Sequence, residues 1–176
     1  MAQPVAFTPA DIRQLLGLLN DDLAAHGVRA ELYLVGGAVM CLALGARAAT
    51  RDLDAVFQPT ARVRDAAARV ATKAGVPPTW LNDAVKGWLS PRGTFDAWLE
   101  LSHLAVFTAQ PAYLLAMKCA AMRLGEGFHD VEDVRYLLRY LNITSVAEAL
   151  GVVTQYFEED RLPVKTRLAL EELLPG

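Results

Sequence analysis

Leu32-Tyr33-Leu34-Val35-Gly36-Gly37-Ala38, followed after a short apolar segment by Arg51-Asp52-Leu53-Asp54-Ala55-Val56-Phe57, decides how this chain is read. The first segment is a buried strand that delivers two glycines to the start of a helix. The second is a strand over 52–57, with Leu53, Val56 and Phe57 apolar. Alternate strand residues point to one face, so Asp52 and Asp54 lie on the same side. Either half alone is a common pattern. A Gly-Gly pair closes many tight turns, and many Asp-x-Asp pairs sit on solvated strands. In this order and at this spacing they bring two carboxylates beside a glycine turn. A carboxylate within a buried strand is costly unless it is paired or binds a metal. Such a pair can hold Mg²⁺ beside a triphosphate.

Working outward, Thr8-Pro9-Ala10-Asp11 is a helix start, with Thr8 as cap, Pro9 in the first turn and Asp11 at the positive end. Ile12, Leu15, Leu16, Leu19 and Leu23 follow at helical spacing, and Gly27 stops the helix. The expected elements are then a strand over 30–35, a short helix over 37–44 closed by Gly45, and a helix over 60–74 closed by Gly75. After Pro77-Pro78, residues 80–88 read as a loop or a short helix. Residues 98–101 and 104–107 are strand candidates. From Pro111 the chain turns helical: 113–124, a link at 125–127, 130–140, a helix through 157 opened by a Ser145–Glu148 capping box, and 164–173. The expected fold class is α/β (α+β), a small mixed sheet flanked by helices over 1–110. A helical C-terminal part over 111–176 packs on it.

With 53% hydrophobic and 21% charged residues among 176, the chain can build a proper core. Its 17 basic and 20 acidic residues give a net charge of −3, which argues against coating nucleic acid through bulk charge. A local basic groove stays open, from Arg47 and Arg51 beside the motif or from Lys118, Arg123, Arg135 and Arg139. Each of these also reads as a solvated helix face. Cys41 and Cys119 read as reduced core thiols, and the three scattered histidines have no zinc spacing. Residues 1–5 lack the basic and apolar regions of a signal peptide. No apolar run approaches the roughly 18 residues of a membrane helix. A cytoplasmic protein with no membrane partner is expected.

Leu34-Val35-Gly36-Gly37-Ala38 followed by Thr50-Arg51-Asp52-Leu53-Asp54 resembles the minimal nucleotidyltransferase (polymerase-beta-like) superfamily. Its signature is a Gly-Ser or Gly-Gly turn, then Asp-x-Asp or Asp-x-Glu on the next strand. Leu114-Leu115-Ala116-Met117-Lys118 and Asp130-Val131-Glu132-Asp133-Val134 resemble the abortive-infection branch, which includes the toxins of some toxin–antitoxin pairs. The likeness covers about residues 31–140. It implies Mg²⁺-dependent transfer of a nucleoside monophosphate from an NTP to an acceptor. RNA, at the tRNA 3′ end, is the favoured acceptor, in a toxin-like role with a separate antitoxin protein as partner.

On that resemblance Asp52 and Asp54 are metal ligands, while Gly36, Gly37 and Arg51 bind the nucleotide. Many relatives carry Ser where Gly37 stands, so backbone donors alone serve the phosphates here. Lys118 is a point charge on the triphosphate, or else a snorkelling lysine on a wet face. Asp133 best matches the aspartate of the following helix, with Asp130 as alternative; both also suit a helix first turn. The third carboxylate is not obvious. Glu100 is the first candidate and Asp83 and Asp96 the others, and each reads more readily as a solvated surface carboxylate. Tyr113, Tyr136, Tyr140 and Tyr156 read as core or as base-stacking rings, and Trp80, Trp88 and Trp98 as possible walls of a cleft. Two other functions stay open: a catalytically inactive nucleotide- or RNA-binding protein of the same fold, and a small-molecule nucleotidyltransferase.

Overall fold

The computed structural model describes residues 5–125 and 128–174. Residues 1–4, read above for a leader, and Glu126 and Gly127 of the expected link lie outside the described residues. Of the described residues, those within Met1–Gly87 and Phe95–Ala109 form one compact unit, and those within Trp88–Thr94 and Gln110–Gly176 form another. The architecture is mixed α/β, with seven α-helices and one five-stranded mixed sheet among the described residues. No helix among them is long and apolar enough to cross a membrane.

The first unit opens with α1 (Pro9–Ala25), held by a complete capping box in which Thr8 and Asp11 bond each other's backbone. β1 (Ala30–Val35), α2 (Gly37–Leu42), β2 (Leu53–Gln58) and α3 (Thr60–Ala74) follow. β3 is only Leu81–Asn82, and β4 (Phe95–Glu100) and β5 (Leu104–Ala109) form a hairpin. The strand order is β3-β2-β1-β5-β4. β1 runs antiparallel to β2 and parallel to β5, and β3 lies parallel to β2.

Register sorts the side chains. Val35 faces Asp54 across β1 and β2, and Asp54 faces Asn82 across β2 and β3. Leu32, Leu34, Leu53, Ala55, Phe57 and Val106 fall on the opposite face and are buried beneath α1 and α3. The Asp54 face carries Tyr33, Val56 and Phe107, all half-buried. The strand with the aspartates, read from its apolar residues as buried, is buried on the Leu53, Ala55 and Phe57 face and half-buried at Asp54 and Val56. Trp80 is no cleft wall; it is fully buried, with its indole N–H donating to the Ala67 carbonyl at 3.0 Å. Trp98 lies under the Arg13 guanidinium, 4.5 Å from the ring centre, and Trp88, in the second unit, is 63% exposed.

The second unit holds α4 (Pro111–Ala120), α5 (Asp130–Tyr140), α6 (Val146–Val153) and α7 (Val164–Leu173), with α4 packed on α5 and α6. α4 ends four residues before the expected 124, and side chains distant in sequence cause this. The Cys119 carbonyl accepts the Thr166 hydroxyl at 2.7 Å, while the Arg123 N–H donates to the Asp130 carboxylate at 2.8 Å. The helical bond between those two groups is thereby replaced. α6 also stops short of 157, because the Thr154 hydroxyl bonds back to the Leu150 carbonyl and the next turns tighten. Tyr113 and Tyr156 are stacked core rings, 5.0 Å apart, whereas Tyr140 stands on the surface beside Tyr136. Cys41 and Cys119 are free and buried, and burial pushes the Cys119 thiol up to about 12.

Candidate functional site

Gly36 ends β1 with φ 66° and ψ −145°, a backbone region open essentially to glycine. A Cβ on Gly36 would stand 3.4 Å from Oδ2 of Asp54, so the turn and the carboxylate lie side by side. Gly37 is as closely walled. Its Cβ would come within 2.9 Å of Arg47 Nη1 and 3.2 Å of Thr50 Oγ1. A serine there would have to displace one of them. Thr50 already places a hydroxyl at that spot, donating to the Asp52 carbonyl at 3.1 Å.

Asp52 lies one residue before β2 rather than inside it. The ladder with β1 ends at Val35 and Asp54 because Gly36 turns the chain away. Its carboxylate nevertheless stays on the Asp54 side. Asn82, the register partner of Asp54, donates its amide to Asp52 Oδ2 at 3.3 Å. Asn82 escaped the sequence reading, since a two-residue strand shows no period and 80–88 reads as a loop. Asp52, Asp54 and Asn82 are all half-buried, and Arg51 is exposed.

No protein-family model, curated protein or solved structure matches this chain. The donor set therefore speaks through its chemistry. Mg²⁺ is held by one or two carboxylates, several waters and substrate phosphates rather than by an all-protein cage. Two carboxylates and an amide beside a glycine turn fit an ion that arrives with a phosphate ligand. Among the described residues no group of three or more His, Cys, Asp or Glu side chains is placed to hold a metal by itself.

The three candidates for a third carboxylate do not join this pair. Glu100 pairs with Ala105, at the level of Glu31 and Gln58 and at the other end of the sheet. β1 and β5 also separate its strand from β2, so the expectation that Glu100 stands beside Asp52 and Asp54 is corrected. Asp96 is at the right end but on the wrong face, because it pairs with Thr108, whose partner is Leu34. Asp83 follows Asn82, and its carboxylate is taken by Arg64 of α3 at 2.6 Å and Lys86 at 3.3 Å. The Arg64 hydrogen bond, ahead of other causes, holds the Asp83 carboxyl below its usual range. Strand order and register exclude Glu100, sheet face excludes Asp96 and ion pairing excludes Asp83, and none of these is written locally in the sequence.

In the second unit the structure brings Lys118, Asp130 and Asp133 together. The Lys118 ammonium lies 3.0 Å from Asp130 and 2.9 Å from Asp133. Side-chain exposure is 12% for Lys118 and 3% and 5% for the aspartates, so the snorkelling reading of Lys118 is corrected to a buried ionic bridge. Arg123 adds its backbone N–H and guanidinium to Asp130.

Gly36→Ala is expected to lower stability by about 1–3 kcal/mol, the usual cost of a non-glycine residue in such a conformation. It also plants a methyl group against the Asp54 carboxylate. Urea denaturation checks this: the midpoint should fall with the slope unchanged.

Proposed function

We propose that the chain is a Mg²⁺-dependent nucleotidyltransferase-like protein. The observation that carries this reading is the glycine-only turn at Gly36 lying against Asp54, with Asp52 held to the same side by Asn82. Asp52 and Asp54 would hold the ion. Backbone donors of the Gly36–Gly37 turn, with Arg47 and Arg51 nearby, would take the phosphates. A Mg²⁺ held by Asp52 and Asp54 would supply neutralisation of the charge on the triphosphate and the leaving pyrophosphate. The chain's own part is to fix the phosphates and align the α-phosphate for in-line attack. By resemblance the acceptor is RNA, at the tRNA 3′ end, in a cytoplasmic toxin-like role with a separate antitoxin. Lys118 and Asp133 are assigned by resemblance alone to the nucleotide; their direct physical work is to pair with each other.

A second reading is nucleotide binding without transfer. It is favoured because none of the three candidate carboxylates joins Asp52 and Asp54: Glu100 stands at the far end of the sheet, Asp96 on its other face, and Asp83 is paired with Arg64 and Lys86. Incubation with each α-labelled NTP, Mg²⁺ and total cellular RNA, alongside equilibrium binding of the same NTPs, separates the two. Label in RNA supports transfer, and retention of NTP without incorporation supports the second reading. Failure to retain any NTP in Mg²⁺ refutes both.

A further inference from the structure

We infer that the Tyr33 ring is the stacking surface for the base of the nucleoside triphosphate, with the base lying over Val56 on β2. This rests on the reading of Asp52 and Asp54 as the seat of Mg²⁺-bound phosphates. Tyr33 and Phe107 are register partners on neighbouring parallel strands, with ring centres 4.9 Å apart and planes within 11°. That separation matches the spacing of adjacent strands, about 4.7–4.9 Å. The rings therefore stand side by side off the sheet, one per strand. Phe107 covers the β5 side of Tyr33, which leaves the opposite ring face turned toward β2.

The residue opposite Tyr33 on β2 is Val56. The third place in this row thus holds a short branched side chain where a flat ring would continue the stack. Val56 is two residues from Asp54 on the same face, about 7 Å along the strand. That is the reach from a base to its own phosphates. Tyr33 is also braced for the task. Phe95 meets it at 5.2 Å and 75°, and its hydroxyl donates to Glu31 Oε2 at 2.7 Å. Tyr33, Val56 and Phe107 are half-buried, unlike the apolar residues of the other face. Stacking accepts any base, because every base has a π-face. The site should therefore take purine and pyrimidine triphosphates alike.

The test titrates ATP, CTP and inorganic tripolyphosphate, each with Mg²⁺, into the wild type, Tyr33→Phe, Tyr33→Leu, Tyr33→Ala and Asp54→Asn. Tyr33→Phe should bind as the wild type. Tyr33→Leu and Tyr33→Ala should lose ATP and CTP affinity about 5- to 150-fold, the range for one stacked base, with tripolyphosphate unchanged. Asp54→Asn should lose all three ligands. Wild-type ATP and CTP affinity in Tyr33→Leu, or an equal loss of tripolyphosphate, overturns the stacking role while leaving the phosphate site standing. A wild type that binds neither nucleotide nor tripolyphosphate overturns both. A readout on the unaltered chain is the fluorescence of 2-aminopurine riboside triphosphate, which stacking quenches. Binding without quenching refutes the role of Tyr33 even if every Tyr33 variant fails to fold.

Discussion

Asp54→Asn is expected to reduce Mg²⁺-dependent nucleotide affinity or turnover by more than about 100-fold while the protein stays folded. Loss of a residue that merely orients a metal ligand costs about 10–100-fold, so loss of a ligand itself costs more. A neutral amide is a poor partner for a hard dication that prefers carboxylate and water oxygens. Asparagine keeps the size and shape of aspartate at this half-buried position, so the fold should persist. The check is thermal melting beside NTP titration with and without Mg²⁺. Normal affinity in the variant would remove the carboxylate pair from the site, and a collapsed melting transition would make Asp54 structural.

Asp130→Ala should produce the largest loss of stability, about 3–5 kcal/mol, as when one partner of a buried ion pair is removed. It takes one of two carboxylates from Lys118 and the acceptor from both the Arg123 backbone and its guanidinium. A pH signature accompanies it. Burial acts to raise the Asp130 carboxyl, but the Arg123 hydrogen bonds and the Lys118 charge outweigh it and hold the group down to about 2. An unfolded aspartate titrates near 3.9. A folded value below the unfolded one stabilises above about pH 4 and loses that contribution as pH falls toward 2. The loss is about 2 kcal/mol. Hydrogen exchange of the α4 and α5 amides at pH 7 and pH 3 reads it directly. The wild type should lose protection on acidification, and Asp130→Ala should start low and change less. Equal protection in the two proteins at pH 7 would refute the bridge.

Elements with strong local signals were legible in the sequence. Thr8, Pro9 and Asp11 bound α1, the run from Ala30 to Val35 is β1, and Gly75 closes α3 in a left-handed conformation. The starts and ends of α5 and α7 are also where their patterns put them. The misplaced boundaries answer to distant groups: α4 stops where Thr166 and Asp130 capture its backbone, and β2 begins one residue late where Gly36 takes the neighbouring strand away. The site divides in the same way. Gly36, Gly37, Asp52 and Asp54 are a local pattern and come together. Asn82 sits on a strand too short to show a period. The exclusion of Glu100 and Asp96 follows from strand order and sheet face, which only the assembled sheet defines.

The second unit takes a piece of chain from between β3 and β4, and this bears on where its gene can be cut. The Ser90 N–H donates to the Tyr113 hydroxyl at 3.0 Å, and its own hydroxyl donates to the Tyr156 carbonyl. Gly93 lies so close to the Tyr113 ring that a Cβ there would come within 2.5 Å of it. A gene segment starting at residue 110 would encode four helices without the strap that ties Tyr113 to Tyr156. A segment cut at residue 110 thus lacks part of the second unit's core, and substitutions at Ser90 and Gly93 answer to helices encoded well downstream of them.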